Sequence, residues 1–512
     1  MPDEAPSDAR STSQSIGLLL GPLLFCLTLF LDLDPSGREV THMAAVAVLM
    51  ATWWITDAIP LSATALLPLV LYPVLGIMKT RECAPIYVNS TIFLFIGGFM
   101  IAVTMEKWQL HKRIALWIIR RIGGGPSRII LGFMVAAAFL SMWISNTATA
   151  IMMVPIAMAI ILQLEERFGR KECHPFTVAL MLGIAYACSL GGMATLVGTP
   201  PNLSFARIFE ITFPNAEPIA FGQWLLMAFP VTLVLLAIVW LLLTRVFFRF
   251  GEAFEVDRDV VKREYAALGS MSFEERSVLA VFAATAFGWV FRKDLVLGIF
   301  TIPGWSRLLP HADLIDDATV AIGMAMILFF IPARSPNAGS RGVMGVDVFT
   351  KIPWHIVLLF GGGFALAQGF RVTGLSDLIG TRFAGLAGVP PYPMIMLVCG
   401  GLTFLTELTS NTATTEMILP ILASVAVAMK ANPLLLMIPA TLSASCAFMM
   451  PVATPPNAII FGSGRIRIAE MARVGLAINL IGVLVISLVF YFFGSAVLSI
   501  DTASFPMWAA SG

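Results

Sequence analysis

Charge is scarce in this chain. Only 12% of its 512 residues are Asp, Glu, Lys or Arg, while 58% are hydrophobic and the mean hydropathy is +0.88. That balance excludes an ordinary soluble globular domain. Histidine and cysteine are scarce too. The five histidines (His42, His111, His174, His311, His355) and six cysteines (Cys26, Cys83, Cys173, Cys188, Cys399, Cys446) show neither Cys-x-x-Cys nor His-x-x-x-His spacing. This speaks against a disulfide framework and against a transition-metal site. A net charge of +1 gives no footing for a nucleic-acid partner. The first apolar run, about 16–31, lacks the basic n-region and the Ala-x-Ala-like cleavage site of a secretory signal. It is read as the first membrane helix.

Long apolar runs fill the rest, each near the roughly 20 residues that a helix needs to cross the hydrocarbon. They predict eleven crossings, at about 14–33, 40–58, 60–78, 91–110, 175–213, 222–250, 276–293, 317–333, 354–371, 433–465 and 472–499. Two further stretches, about 127–164 and 386–428, are too long for one crossing and carry polar motifs in their middle. Each is predicted to be a re-entrant hairpin that enters and leaves on the same side. The fold class expected is therefore an all-α polytopic membrane protein. With the N-terminus inside, 22 of the basic residues fall in cytoplasmic loops and 10 outside. The positive-inside rule thus places the N-terminus in the cytoplasm and the C-terminus outside. Lys107 to Arg121 has an apolar and a charged face, which suits a helix lying on the cytoplasmic surface or a solvated helix extension. The mixed charges of 251–275 (Asp257, Arg258, Asp259, Lys262, Arg263, Glu264) read as a solvated connector between two halves. Gly123-Gly124-Gly125-Pro126 reads as a helix stop, since no strand precedes it to make a phosphate loop.

The halves resemble each other. Phe95-Ile96-Gly97-Gly98-Phe99 matches Phe360-Gly361-Gly362-Gly363-Phe364, and Ser145-Asn146-Thr147-Ala148-Thr149 matches Ser410-Asn411-Thr412-Ala413-Thr414, both at an offset of 265. Pro155 and Pro420 keep that offset, while Thr199-Pro200-Pro201-Asn202 matches Thr454-Pro455-Pro456-Asn457 at 255. Agreement in order, spacing and identity marks an internal repeat. In the assigned topology the two Gly-Gly-Phe helices run in opposite directions, so the repeats are inverted. Inverted repeats with broken helices near the midplane are the sequence signature of secondary transporters.

Each Ser-Asn-Thr triplet sits at a predicted hairpin turn, deep in apolar sequence where an unpaired polar side chain is costly. Asn offers an amide oxygen to a cation and an NH2 to an anion, and the hydroxyls donate to carboxylate or sulfate oxygens. The start of the second hairpin helix frees N–H groups, where the helix dipole favours an anion. Freed carbonyls at the end of the first suit sodium. Helix-packing glue is the bland alternative for one such motif, and two matched copies weigh against it. The paired prolines remove donors and open the helix, exposing carbonyls near Gly198 and Ala453. Neither motif contains Lys or Arg, which calls for a co-bound cation. A dianion entering at −100 mV costs about 2 × 2.3 kcal/mol, and two sodium ions only cancel its charge. Two embedded acids, Glu407 and Glu416, occur in the second hairpin alone, with Met142 and Ile151 at the matching positions of the first. Glu416 is open to proton carriage, a watery vestibule or a partner on a neighbouring helix. Glu106 and Arg371 match in the repeat with opposite sign and are expected to flank membrane surfaces.

With these motifs the chain resembles the divalent-anion:sodium symporter family, whose members carry dicarboxylates, citrate or sulfate. The stretch Thr406-Glu407-Leu408-Thr409-Ser410-Asn411-Thr412-Ala413-Thr414-Thr415 looks more like its dicarboxylate carriers than its sulfate carriers. The resemblance implies a homodimer in which a transport domain moves against a scaffold by an elevator mechanism. Substrate would meet Ser145, Asn146, Thr147, Ser410, Asn411 and Thr412, with Thr199, Thr454 and Pro455 nearby. One sodium site would use Asn146 with carbonyls of Ser141, Ser145 and Gly198. The other would use Asn411 with Thr406, Thr409 and Ala453. Glu416 departs from the small or neutral residue expected there.

The expected division is scaffold helices in 1–126, first-repeat transport elements in 127–221, connecting and scaffold helices in 222–385 with the 251–275 linker, and second-repeat transport elements with the last helix in 386–512. The expected function is sodium-coupled uptake of succinate, malate or fumarate across the plasma membrane, in a bacterium the inner membrane. Sodium is the co-transported ion, and no organic cofactor is expected. A sodium-independent dicarboxylate exchanger and a citrate or sulfate carrier are the alternatives within the class. An intramembrane enzyme built on Glu407 or Glu416 is disfavoured, because these acids lack a nearby His and zinc-ligand spacing. A passive anion channel would show a ring of basic residues.

Overall fold

The computed structural model describes residues 10–34, 37–250, 259–296, 300–335, 339–386, 388–502 and 504–510. Among the described residues the sheet content is one two-residue antiparallel ribbon, Leu295–Val296 with Thr301–Ile302, in a stretch where no strand is expected. Everything that positions the site is helical.

Predicted crossings fall on the helices Thr12–Leu29, Glu39–Thr56, Ser90–Lys107, Phe221–Leu241, Phe273–Val290, Asp317–Phe330, Trp354–Thr373 and Ile468–Val489. Three others are interrupted. The third divides into Leu61–Thr64 and Leu67–Val74, the fifth into Arg170–Met193 and Pro200–Thr212, and the tenth into Leu434–Ala444 and Pro455–Gly462. Among the described residues, eight helical segments are long and apolar enough to cross a bilayer; two of them, Asn146–Phe168 and Asn411–Ala428, are hairpin limbs, so six of the eleven expected crossings are in that set. The other five are broken (61–74 and 434–462), short (the 14-residue Asp317–Phe330) or less apolar (Glu39–Thr56 and Phe273–Val290).

Both expected hairpins are present. Pro126 opens the first, whose outer limb Pro126–Ser141 turns at 142–145 into Asn146–Phe168. The chain restarts there because Ser145, in an extended conformation, accepts a bond from the Ala148 N–H at 3.1 Å, the usual work of an N-cap serine. The second hairpin pairs Pro391–Leu405 with Asn411–Ala428, again with an extended serine, Ser410, at the restart. The two broken helices restart alike as well. Thr199 has φ −145°, ψ 142° and Thr454 has φ −142°, ψ 150°, the extended geometry that a following proline imposes.

Arg170–Met193 is the axis of the bundle. Its most apolar window is wholly buried, whereas that of Thr12–Leu29 is 11% buried and lies at the rim. Glycine permits the close approaches around this axis. A Cβ on Gly191 would overlap the Ala138 carbonyl oxygen of the first hairpin. The repeat-related pair Gly97 and Gly362 does the same for two further helices, with added Cβ atoms 2.7 Å from Ala321 Cβ and 2.5 Å from Ala65 Cβ.

The amphipathic segment is the helix Leu110–Ile122, and its apolar face (Leu110, Ala115, Leu116, Ile119) is buried against protein. The first hairpin covers it, with Gly132 close over the Ile119 backbone. Arg113 fixes its position through both carboxylate oxygens of Glu275, at 2.9 and 3.1 Å, and through the carbonyls of Gly269 and Leu268. Part of the expected connector, including Asp257 and Arg258, lies outside the described residues. The remainder forms the helix Asp259–Ala267, tied back by Lys112 to Glu264 at 2.9 Å.

Gly191→Ala forces the axis helix away from the hairpin backbone, an overpacking cost of roughly 1–3 kcal/mol. Thermal melting in detergent will show the loss, while Gly323→Ala, which meets nothing within 4 Å, leaves the midpoint in place.

Candidate transport site at the hairpin tips

The two hairpin tips and the two broken helices meet at one cavity of about 550 Å³. Four helix starts open into it, at Asn146, Pro200, Asn411 and Pro455. The starts at Asn146 and Asn411 bring unpaired N–H groups, while those at Pro200 and Pro455 open with two prolines that carry no N–H and bring only the helix dipole; together they give the cavity an anion-favouring field without a formal positive charge. No Lys or Arg is among the lining residues, and the ionisable groups among them are Asp57 and His355.

All nine residues expected to meet substrate line this cavity: Ser145, Asn146, Thr147, Thr199, Ser410, Asn411, Thr412, Thr454 and Pro455. Gly198, Ala453 and Thr409 line it too. Ser141 and Thr406 do not; both are fully buried behind the wall.

Around Asn146 several oxygens crowd one small space. A Cβ on Gly192 would lie 2.9 Å from Asn146 Oδ1 and 3.0 Å from the Gly198 carbonyl oxygen. One on Gly198 would lie 2.5 Å from the Gly192 carbonyl oxygen and 3.0 Å from that of Ser141. Asn146 Oδ1 and Ser141 Oγ are buried without a hydrogen-bond partner. The Gly192 carbonyl already accepts from Asn202, but the carbonyls of Ser141 and Gly198 together with the unpartnered Asn146 Oδ1 are hard oxygen ligands suited to a small cation. The Ser145 carbonyl, by contrast, accepts the Thr149 N–H at 3.0 Å as an ordinary helical bond.

The matching place in the second half is filled differently. Thr406 Oγ1 lies 2.5 Å from Asn411 Oδ1 and 2.8 Å from the Ala444 carbonyl oxygen. Thr409 Oγ1 bonds the Leu405 carbonyl at 2.9 Å and the Thr414 hydroxyl at 2.5 Å. Its repeat counterpart is Ile144, which has no hydroxyl to offer. The tips diverge as well. Both tips line the cavity, but Trp143 packs among Phe221, Phe282 and Trp289, while its counterpart Leu408 is 76% exposed.

Other residues hold the site without lining it. Asn202 donates to the carbonyls of Gly192, Met193 and Thr195 at 3.1, 3.3 and 2.7 Å. Asn457 donates to those of Ala447 and Met450, both at 3.0 Å. Each asparagine closes the fourth place of its Thr-Pro-Pro-Asn motif and staples the interrupted segment just before it. Sequence reasoning quoted that position in both motifs and assigned it no role; its recurrence was the available signal.

Glu407, the acid peculiar to the second tip, performs the analogous task from outside its broken helix. It accepts the N–H groups of Phe448, Met449 and Met450 at 2.6, 2.9 and 3.1 Å and an amide hydrogen of Asn479 at 2.7 Å. In the first half the Thr195 hydroxyl donates at 2.5 Å to the carbonyl of Met142, the counterpart of Glu407. Glu407 is thus an anchor between tip and broken helix.

The sequence profile described as the sodium:sulfate symporter transmembrane region matches residues 15–500. The chain belongs to the sodium:sulfate symporter family. This symporter is similar to proteins named sodium-dependent dicarboxylate transporter SdcS. That of Staphylococcus saprophyticus is 41% identical over 497 residues, and that of Staphylococcus aureus is 42% identical over 500. In each case 96% of this chain and 93% of the relative are covered. Among solved structures, the YdaH transporter of Alcanivorax borkumensis aligns with a TM-score of 0.54, covering 95% of this chain and 100% of that one. MtrF of Neisseria gonorrhoeae aligns at 0.55, covering 93% and 97%. Both are 12% identical to the symporter, so the likeness concerns the fold alone.

Removing the Glu407 carboxylate strands three N–H groups, that of Phe448 buried and those of Met449 and Met450 half-buried, and an unsatisfied buried donor costs roughly 1–3 kcal/mol. Glu407→Ala therefore lowers the melting temperature in detergent well beyond Asn479→Ala, which removes one donor of four. Equal effects would contradict the anchoring role.

Proposed function

We propose that this chain is a sodium-coupled symporter that carries C4-dicarboxylates such as succinate, malate or fumarate into the cell. The observation that carries this reading is full-length similarity to relatives named for sodium-dependent dicarboxylate transport. The cavity supports it on independent grounds, being small, ringed by four helix starts and lacking Lys or Arg.

A dianion in such a cavity has hydroxyls, amides and dipoles to bind but no counter-charge, and sodium supplies it. In the proposed arrangement Ser145, Asn146, Thr147, Ser410, Asn411 and Thr412 hold the carboxylates through hydroxyl and freed N–H donors, with Thr199, Thr454 and Pro455 at the edge. One sodium ion sits at Asn146 with carbonyls of Ser141, Ser145 and Gly198. The crowding of oxygens there, with Asn146 Oδ1 left without a hydrogen-bond partner, supports that place. The second sits at Asn411 with Thr406, Thr409 and Ala453. There the hydroxyl of Thr406 must turn away from Asn411 Oδ1 to admit the ion, so the second site pays a rearrangement that the first does not.

Alternating access follows by an elevator motion of a homodimer's transport elements, residues 127–221 and 386–512, against the scaffold of 1–126 and 222–385. One boundary moves in this proposal. The helix Phe221–Leu241 sends Trp224 Nε1 to the Met193 carbonyl at 3.1 Å and the Thr232 hydroxyl to that of Leu190 at 3.2 Å. Those bonds to the first broken helix support grouping it with the transport elements. The membrane is the plasma membrane, with the N-terminus cytoplasmic and the C-terminus outside, as the distribution of basic residues supports.

Uptake of labelled succinate into proteoliposomes under imposed gradients tests the reading. Saturable uptake driven by an inward sodium gradient is expected. Uptake only against internal dicarboxylate would replace symport by exchange. Asn146→Ala and Asn411→Ala are each expected to lower sodium-dependent uptake at least tenfold, with detergent elution profiles unchanged; wild-type rates in both would reduce the motifs to helix packing.

A further inference from the structure

Glu416 is the embedded acid that neither the cavity nor the anchoring of the broken helices uses. It stands five residues after Asn411 on the inner limb of the second hairpin and is fully buried. The Ser204 hydroxyl, on the helix Pro200–Thr212, donates to its Oε1, while Oε2 is buried without a partner. That second oxygen rests in a notch on the helix Trp354–Thr373. A Cβ on Gly363 would overlap it, so glycine is what admits the carboxyl. One side chain therefore joins three helices: two that start at the cavity and one from the proposed scaffold.

Among the described residues no cation pairs with this acid. The charged and titratable groups on the helices packed against its limb are Arg207 and Glu210 on Pro200–Thr212, His355 and Arg371 on Trp354–Thr373, Glu39 and His42 on Glu39–Thr56, and Asp377 and Arg382 on Leu375–Arg382. Leu434–Ala444 carries none. Arg207 pairs with Glu210 at 2.9 Å, and none of the others bonds to Glu416. An ionised carboxylate enclosed with one hydroxyl donor and no counter-charge is strongly disfavoured. Sodium would need a fuller shell of oxygens than two carboxyl oxygens and one hydroxyl. A proton needs only one lone pair.

We propose that Glu416 is a proton-binding site: its carboxyl carries a proton while the second hairpin rests on the Gly363 notch, and yields it to water when that contact opens. The repeat-related position has no such site. There Ile151 of the first half, which is 58% exposed, stands for Glu416, and Ile459 of the second half stands for Ser204. The counterpart of Gly363, Gly98, faces Trp289 and Val197 at ordinary contact distance. Protonation thus favours the arrangement with the second hairpin docked, and the mirrored arrangement has no equivalent charge to neutralise. The inference stands on this contact and not on the identity of the substrate.

Infrared spectroscopy of the full chain in detergent at neutral pH reads the proton directly, because a protonated carboxyl has a C=O stretch that a carboxylate lacks. One such band is expected to vanish in Glu416→Gln and to shift in Ser204→Ala, which keeps the acid but removes its hydrogen bond. No band lost in Glu416→Gln would overturn the proposal. A band lost there but unmoved in Ser204→Ala would show that the protonated carboxyl does not sit in the docked contact with Ser204, and would overturn it too. Because this measurement needs no transported substrate, it stands or falls apart from the dicarboxylate reading.

Discussion

A helix interrupted inside a membrane must satisfy its freed backbone groups from within the protein, because hydrocarbon offers no donor or acceptor. Four interruptions surround the cavity of this symporter, and the rest of the structure is arranged around keeping them open at tolerable cost. Asn202 and Asn457 answer carbonyls. Glu407 answers three consecutive N–H groups. The unanswered groups are those facing the cavity, and they remain available to ions and substrate. An axis helix whose apolar stretch is wholly buried and glycine-mediated backbone contacts give these breaks a rigid seat.

The two halves solve this common problem with different chemistry. In the first, a threonine hydroxyl bonds a tip carbonyl, and the cavity-facing amide oxygen of Asn146 is left without a donor. In the second, a carboxylate gathers N–H groups, and the amide oxygen of Asn411 already has a hydroxyl beside it. An inverted repeat invites the expectation of two equal sites. The side chains make them unequal, one ready for a cation and one needing a hydroxyl to turn first.

Much of this was legible in the sequence because it rests on local rules. The over-long apolar stretches with polar motifs in their middle marked the hairpins, and the Pro-Pro pairs marked the broken helices by backbone geometry alone; the recurrence of both motifs at fixed offsets paired the two halves. Long-range partners were not legible. Nothing local to Glu407 reveals that its acceptors serve Phe448 to Met450, and nothing near Glu416 reveals the notch at Gly363. Crossing counts suffered for a related reason. Hydropathy measures the length of an apolar run and is blind to a break such as that between Thr64 and Leu67.

Thr199 and Thr454 share one backbone conformation although their side chains bond differently: Thr454 accepts from the Asn457 N–H, and Thr199 caps nothing. The shape is dictated by the proline that follows and requires no other residue to maintain it. After a duplication, such self-sufficient features outlast those that depend on a distant partner, since drift in one residue cannot undo them. The symmetry that survives in this chain is therefore a symmetry of main-chain bends, and the diverged side chains record where the copies have taken on separate duties.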